Sequence, residues 1–537
     1  MDPIPYSPRG STRLIVYYDE LGLQRPAVPL VQSDPGNPEA WRRAIESLVH
    51  VHADAGVDAL SKVIWSRFTH LLHPSVSAVM IPSYAPRPVD DEHSEATVEL
   101  SELHKALHEA GEDMIQIMID QARRDGIRFI AALRMNDRHP IAVRERFWLD
   151  HQEWRLDLGR KGPYWEGGLD YAHDEIRESI LEFIAAMLDR YDVDGIEFDW
   201  MRWVHVFRPG TQRESAPVLT AFHDRARKLL DNAGKSRGRR LLLGSRVPMN
   251  AAACLDFGFD VQSWLDRGLL DYIVPSHFGN MDFNAEVEAF RKLTEEKNCK
   301  VYPSLHGQGW TGPCRLEEYR KEHYYAAATN WYAFGADGLQ VYNYQFKTFD
   351  EIRTRIPELA PIADPDRLAR CNADYLYWQD LGKVVAGNEE TMRYDVIHLD
   401  RSQPAPHGSF AFRLAVDGIA SGTEAMLEFK TTGLHDDDRL DISINGEAVS
   451  AESIRRTYVF DGSIPGPQQK FTGPGGDFRW INPPVPAPYH LFEVPLSSPP
   501  IQFGGNQLSV ALGTPAGSSG VVSVEEVKVL IRTCDAI

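Results

Sequence analysis

Residues Tyr191 to Trp203 read YDVDGIEFDWMRW. From Gly195 to Trp200 apolar and acidic side chains alternate, so Ile196 and Phe198 point to one face of a strand and Glu197 and Asp199 to the other. Just upstream, Ile176, Ile180, Phe183, Ile184, Met187 and Leu188 recur at helical spacing. A helix running directly into a strand that ends in acid is half of a βα unit. In a closed parallel barrel the inward face of each strand ends at the rim where active sites form. That reading puts Asp199 near the mouth and Glu197 one layer deeper. A carboxylate in either place is costly unless it is paired or used.

Working outward, strand character is predicted at 14–18, 61–65, 127–133, 195–200, 240–245, 271–275, 300–304 and 338–342, with 76–81 competing for the second slot. Helical patterns fall near 38–53, 110–125, 173–190, 216–233, 259–268, 284–297, 316–334 and 349–357. Eight strands alternating with helices predict a (β/α)8 barrel of the α/β class. A doubly wound open sheet is the rival, but no GxGxxG or P-loop pattern follows any strand. Two stretches, 66–109 and 134–173, are long enough to serve as lids or substrate walls on the βα side.

A chain of 537 residues exceeds one ordinary core. Residues 1–12 read as a flexible lead, 13–360 as the catalytic barrel, 361–390 as a connector and 391–537 as a β-sandwich accessory domain. The last region has short β-like runs at 396–399, 409–416, 425–430, 440–444, 491–494, 507–512 and 521–531, divided by turns such as Asn445-Gly446 and Asp461-Gly462. This is the pattern of an all-β sandwich of jelly-roll type. The net charge of −20 argues against a nucleic-acid or anionic-membrane partner. No apolar run reaches membrane-spanning length, and the first residues carry no signal-type apolar core. Cys254, Cys299, Cys314, Cys371 and Cys534 are scattered without a CxxC, so neither a disulfide framework nor a zinc site is expected. No HxH or HExxH spacing supports a metal, and no cofactor is called for.

Polar residues gather just past the predicted strands: Asp19 and Glu20, Arg67, Arg134, Asn136 and Arg138, Asp199 and Arg202, Arg246 and Asn250, His277 and Asp282, His306 and Trp310, Tyr342 and Asn343. Asp199 is the leading catalytic candidate, as nucleophile, general base or oxocarbenium stabiliser. A buried aspartate salt-bridged to Arg202 or Arg246 is the structural alternative. Glu197 is either catalytic or a structural carboxylate hydrogen-bonded within the barrel, with Gln340 as a partner. A glycosidase also needs a proton donor for the leaving oxygen, for which Asp282, His277 and His306 are the candidates. Trp165, Trp203 and Trp310 suit stacking on sugar rings, whereas Trp200 reads as core. Arg67, Arg134, Arg138, Arg202 and Arg246 suit an acidic glycan or the neutralisation of nearby carboxylates.

The run from Leu169 to Trp203, LDYAHDEIRESILEFIAAMLDRYDVDGIEFDWMRW, resembles the bacterial glycosyl-hydrolase-like group of (β/α)8 barrels. In arrangement it is also similar to alpha-amylase-like and alpha-galactosidase-like barrels, in which an Asp closing the fourth strand is the nucleophile. Only Asp199 carries over; Glu197 stands where the amylase-like barrels have a basic residue. The resemblance implies a carbohydrate-active enzyme, a glycoside hydrolase acting on an oligo- or polysaccharide. A polysaccharide lyase on a uronic-acid polymer and a non-catalytic glycan-binding barrel are the alternatives.

Overall fold

The computed structural model describes residues 12–65, 107–136, 150–158, 168–306, 319–377 and 395–533, less short gaps within those ranges (20–21, 24, 28, 30–32, 35–36, 108, 278–279, 345, 347, 417–421, 466–468, 473–477, 482–483, 497–500 and 514–518). Its first part is a parallel sheet of β1 (Leu14–Tyr18), β2 (Ala59–Trp65), β3 (Arg128–Arg134), β4 (Gly195–Asp199), β5 (Leu242–Pro248), β6 (Tyr272–Ser276), β7 (Lys300–Val301), β8 (Ser304–His306) and β9 (Leu339–Tyr342). The spatial order is β7-β6-β5-β4-β3-β2-β1-β9-β8. β7 and β8 are the two halves of one strand, interrupted at Tyr302 and Pro303. β7 pairs with β6, β8 pairs with β9, and the Tyr302 N–H donates to the Ile273 carbonyl while the Gln340 N–H donates to that of Pro303. The sheet therefore closes on itself as an eight-stranded barrel. Proline has no N–H to give a ladder, which explains a break at this point.

Helices α1 (Pro38–Asp54), α2 (Met114–Asp125), α3 (Asp174–Arg190), α4 (Gln212–Arg237), α5 (Val261–Asp266), α6 (Val287–Thr294), α7 (Lys321–Ala333) and α8 (Phe349–Arg355) follow the strands in turn. Their starts are set by local chemistry. Asn37 and Asp113 accept the Ala40 and Gln116 N–H groups, and Thr348 with Glu351 closes a capping box. The outward face of β4 is the one expected. Phe198 packs its ring 5.2 Å from Phe222 of α4, and Ile196 is buried with it.

Inward-facing residues form small clusters apart from the large core between strands and helices. Ile15, Ala59, Ile130, Tyr272, Val274 and Tyr302 fill the lower barrel, and Tyr17, Val63, Ala132 and Tyr342 the upper. Such layered filling makes the barrel a packed core rather than a pore.

The foot of the barrel carries a repeated device. Asp58, Asp194 and Asp271 each stand immediately before β2, β4 and β6, and Asp337 two residues before β9. Each carboxylate accepts a backbone N–H from the start of the preceding strand: Asp58 from Leu14 (3.0 Å), Asp194 from Phe129 (2.8 Å), Asp271 from Leu243 (2.8 Å) and Asp337 from Val301 (3.0 Å). These strand starts are thus pinned by acid. Arg227 and Arg240 neutralise Asp271, at 2.9 and 2.6 Å.

The second part is all antiparallel. β10 (Ala373–Leu376), β11 (Asp395–Asp400), β13 (Thr423–Thr432), β16 (Arg455–Val459), β21 (Tyr489–Pro495) and β23 (Val521–Thr533) form one sheet. β12 (His407–Leu414), β14 (Arg439–Ile444), β15 (Glu447–Ala448) and β22 (Gly504–Gly513) form the other. Inner faces bearing Leu427, Phe429 and Val524 on one sheet, and Phe412, Ile442 and Leu508 on the other, belong to one core. This is a sandwich. Two ribbons pair β17 (Ser463–Pro465) with β20 (Pro484–Pro486) and β18 (Gln469–Thr472) with β19 (Phe478–Ile481). β10 lies inside the stretch expected as a connector, yet it pairs with β23.

The sandwich is tied to the barrel through the segment after β6. Asn284 donates to the Ala411 carbonyl and accepts the Arg413 N–H, and Asn330 of α7 donates to the Arg413 carbonyl and accepts the Ala415 N–H. The Arg413 guanidinium lies 4.2 Å from the Phe334 ring centre and pairs with Glu288.

Candidate active site

Asp199 ends β4 facing inward, level with Arg134 on β3 and Arg246 on β5. Both Asp199 and Arg246 are fully buried. Asp199 Oδ1 accepts Arg246 Nη1 at 2.8 Å and the Met201 N–H at 3.0 Å. Among the described residues Oδ2 accepts only the Tyr17 hydroxyl, at 2.8 Å. A carboxylate oxygen has two lone pairs, so Oδ1 is saturated and Oδ2 keeps one.

Arg246 is itself fixed on every side. Its Nε donates to Ser276 Oγ (3.0 Å), its Nη2 to the His277 carbonyl (3.3 Å), and its flat face lies 3.5 Å from the Tyr342 ring centre. Burial works against the charge, but Asp199 beside it, helped by Tyr342 and Tyr17, holds the guanidinium pKa above its usual value. The Tyr17 hydroxyl is pushed well up, first by burial and then by the neighbouring Asp199 charge, so it stays a donor. Tyr17 stacks on Tyr342 at 4.6 Å, and the His306 ring lies 5.1 Å from Tyr342. The Tyr342 hydroxyl is buried and has no hydrogen-bond partner among the described residues.

At the rim, Arg134 Nη2 stands 3.8 Å from Asp19 and 3.5 Å from Asn343 Oδ1. Asn343 adopts a left-handed backbone (φ 51°) and donates its N–H to the Tyr17 carbonyl. Asn is among the few non-glycine residues that tolerate this region.

One layer down, Glu197 is fully buried. Tyr272 donates its hydroxyl to Oε2 (2.9 Å), and Gln340 Nε2 reaches Oε1 at 3.0 Å and Oε2 at 2.8 Å. Burial raises its pKa to about 7 against the pull of those two hydrogen bonds; Asp199 adds to the rise and Arg246 opposes it. Tyr272 can reach Glu197 because Gly244 lies between them: a Cβ there would sit 2.0 Å from Tyr272 Cζ.

The remaining candidates divide. His277 and His306 are buried at the ends of β6 and β8, within the same ring of strand ends as Asp199. Arg202 and Trp203 follow in the half-buried turn after β4. Asn136 is buried with its amide given to backbone: it accepts the Leu169 N–H at 2.8 Å and donates to the His205 carbonyl at 2.6 Å, binding two loops together. Asp282 lies at the junction with the sandwich. Its carboxylate accepts the Asn284 N–H, its carbonyl accepts Trp331 Nε1, and its charged neighbours are Arg413 and Glu286. Burial raises its pKa to about 6. Asn250 caps the short helix Ala251–Cys254. Trp200 is core, its indole N–H on Ser245 Oγ. Glu20, Arg67, Arg138, Trp165, Trp310 and the 76–81 run lie outside the described residues. Among the described residues no cluster of three or more His, Cys, Asp or Glu has the arrangement to hold a metal ion, and no helix is long and apolar enough to cross a membrane.

Tyr17, Tyr272, Ser276 and Gly244 escape a search for polar residues at strand ends. Tyr17 stands two residues after the inward-facing Ile15 and pairs in register with Tyr342.

The architecture is thus a (β/α)8 barrel followed by a β-sandwich. No family model and no curated protein matches the chain. Among solved structures it is similar to the glycoside hydrolase domain of PgaB (BpsB) from Bordetella bronchiseptica, at 12% identity over 66% of this chain and 99% of that one, TM-score 0.40. The maltogenic alpha-amylase AmyB from Thermotoga neapolitana matches at 11% identity over 90% and 98% of the two chains, TM-score 0.34. The GH36 alpha-galactosidase AgaA from Geobacillus stearothermophilus matches at 11% identity over 90% of this chain and 56% of that one, TM-score 0.35. At such identities and scores the likeness bears on neither substrate nor reaction.

Proposed function

We propose that the protein is a carbohydrate-active enzyme, a glycoside hydrolase in which Asp199 acts as nucleophile or base. The observation that carries this reading is the unequal use of the Asp199 oxygens. Among the described residues Arg246 and the Met201 N–H saturate Oδ1, while Oδ2 has a lone pair left for an anomeric carbon or an attacking water. His277 and His306 are the preferred proton donors, because Asp282 has its contacts at the sandwich junction. Arg134, Asn343 and Trp203 would contact sugar hydroxyls or an acidic substituent.

A second reading is a lyase on a uronic-acid polymer, favoured by the buried Tyr342 hydroxyl that has no partner beside the Arg246 guanidinium. There His306, whose ring lies 5.1 Å from Tyr342, would take the proton α to a carboxylate that an arginine neutralises, and Tyr342 would give its own proton to the leaving oxygen. A turnover screen on neutral and acidic oligo- and polysaccharides, reading reducing ends and ultraviolet absorbance together, separates the two. Reducing ends without absorbance support hydrolysis. Absorbance from an unsaturated product moves the reading to a lyase. Binding without turnover on any glycan contradicts both and leaves a non-catalytic barrel.

A further inference from the structure

Glu197, Asp199 and Arg246 are all fully buried on the inner wall of the barrel. Their charges can be counted contact by contact. Arg246 gives its hydrogen bonds to Asp199, Ser276 and the His277 carbonyl, and none to Glu197. Among the described residues Glu197 hydrogen-bonds to neutral partners, the Tyr272 hydroxyl and the Gln340 amide. Among them the other strands set no second cation against Glu197. β1 presents Tyr17, already on Asp199. β2 presents Ser61 and Val63, while Lys62 turns its ammonium to the Asp19 carbonyl. β3 presents Arg134, which faces Asp19. The seventh strand presents Tyr302, bonded to the Thr12 carbonyl, and His306 beside Tyr342 of β9. Among the described residues the cation hydrogen-bonded to either carboxyl group is thus Arg246, and it is committed to Asp199. A second observation agrees. Gln340 Oε1 is buried without a hydrogen-bond partner among the described residues although its amide lies against a carboxyl group. Turned over, that amide would offer Oε1 to a proton on Glu197.

We propose that in weakly acidic solution Glu197 is the protonated acid, donating to the Gln340 amide oxygen, and that it is a positioning residue for Asp199. Its ionisation releases the proton to solvent and leaves a second negative charge one layer beneath Asp199, opposed among the described residues by the Arg246 already paired with Asp199. Arg246 is then shared between two carboxylates, and the Asp199 charge loses part of its support. The burial-driven rise of the Glu197 pKa to about 7 puts this change near neutrality.

The test is infrared difference spectroscopy of the whole chain across pH, reading the carbonyl stretch of a protonated buried carboxyl. Subtracting the Glu197→Gln spectrum removes the contribution of Asp282. The wild type should show a Glu197 band at pH 5.5 that disappears as pH passes about 7. Tyr272→Phe, which removes a donor that favours the ionised form, should move that loss to higher pH, and this variant serves even where Glu197→Gln does not fold. A wild type with no titrating band that Glu197→Gln removes, or a band whose midpoint Tyr272→Phe leaves unmoved, would overturn the assignment. Neither readout requires turnover, so failure here is distinct from failure of the glycosidase reading.

Discussion

The acids at the two ends of the barrel are held differently. At the foot, Asp58, Asp194, Asp271 and Asp337 accept backbone N–H groups at strand starts. Their bonds tie strand to strand, and Asp271 is further neutralised by two arginines. At the mouth, Asp199 takes one backbone N–H but is otherwise held by Arg246 and Tyr17 side chains, with one lone pair uncommitted. An acid built into the backbone ladder serves the fold. An acid held by side chains with a lone pair uncommitted is the one that the proposed glycosidase reading uses.

The sharpest way to break this contrast is Asp271→Ala. It breaks the buried pair with Arg227, which keeps only Asp231 as an ion-pair partner, breaks the pair with Arg240 and takes the acceptor from the Leu243 N–H, so stability should fall by about 3–5 kcal/mol in urea unfolding. Turnover per folded molecule should be unchanged; a loss of turnover would erase the distinction between foot and mouth.

Next comes Glu197→Gln. The folded carboxyl has its pKa raised to about 7 from the ordinary 4.5. The unfolded chain therefore gives up its proton first, and stability falls as pH rises from about 4.5 to about 7. The glutamine variant escapes that loss, so it should exceed the wild type by about 3 kcal/mol at pH 8 and match it below pH 4. Equal unfolding midpoints at both pH values would contradict the account.

Gly244→Ala forces a Cβ into the Tyr272 ring. Overpacking of this kind costs about 1–3 kcal/mol, read as a lowered melting temperature, and should also disturb the Tyr272–Glu197 bond. The smallest effect belongs to Asp58→Ala, which removes the acceptor of the Arg13 and Leu14 N–H groups in a partly exposed place. Roughly 1 kcal/mol is expected, measurable by faster amide exchange at the start of β1.

Much of this organisation is legible in the residues themselves. β1 follows from its apolar run and β4 from its period, and the alternation in GIEFD places both carboxylates inside the barrel. The pairing of Asp199 with Arg246 is also readable, because both end adjacent strands. Tyr17 is hidden because LIVYY looks like uniform core, and only register with Tyr342 reveals its inward face. The break at Pro303 is hidden because period cannot tell one strand from two collinear halves. Asp282 stands where a second carboxyl group is wanted in HFGNMDFN, but the Asn284–Arg413 clamp joins residues more than a hundred positions apart, beyond any local pattern. β10 is likewise hidden, since its partner β23 comes at the far end of the chain. The foot acids do leave a trace, an aspartate just before every second strand of the barrel, whose meaning emerges only with the parallel register.

The most direct test of the central claim is the rate of Asp199→Asn against the wild type on a glycan that the wild type turns over, with melting curves to establish that the variant is folded. Loss of the carboxylate from a folded barrel should lower kcat by about 10³-fold or more with substrate binding retained. Full activity in a folded Asp199→Asn protein would contradict the account and return Asp199 to the structural acids of the foot.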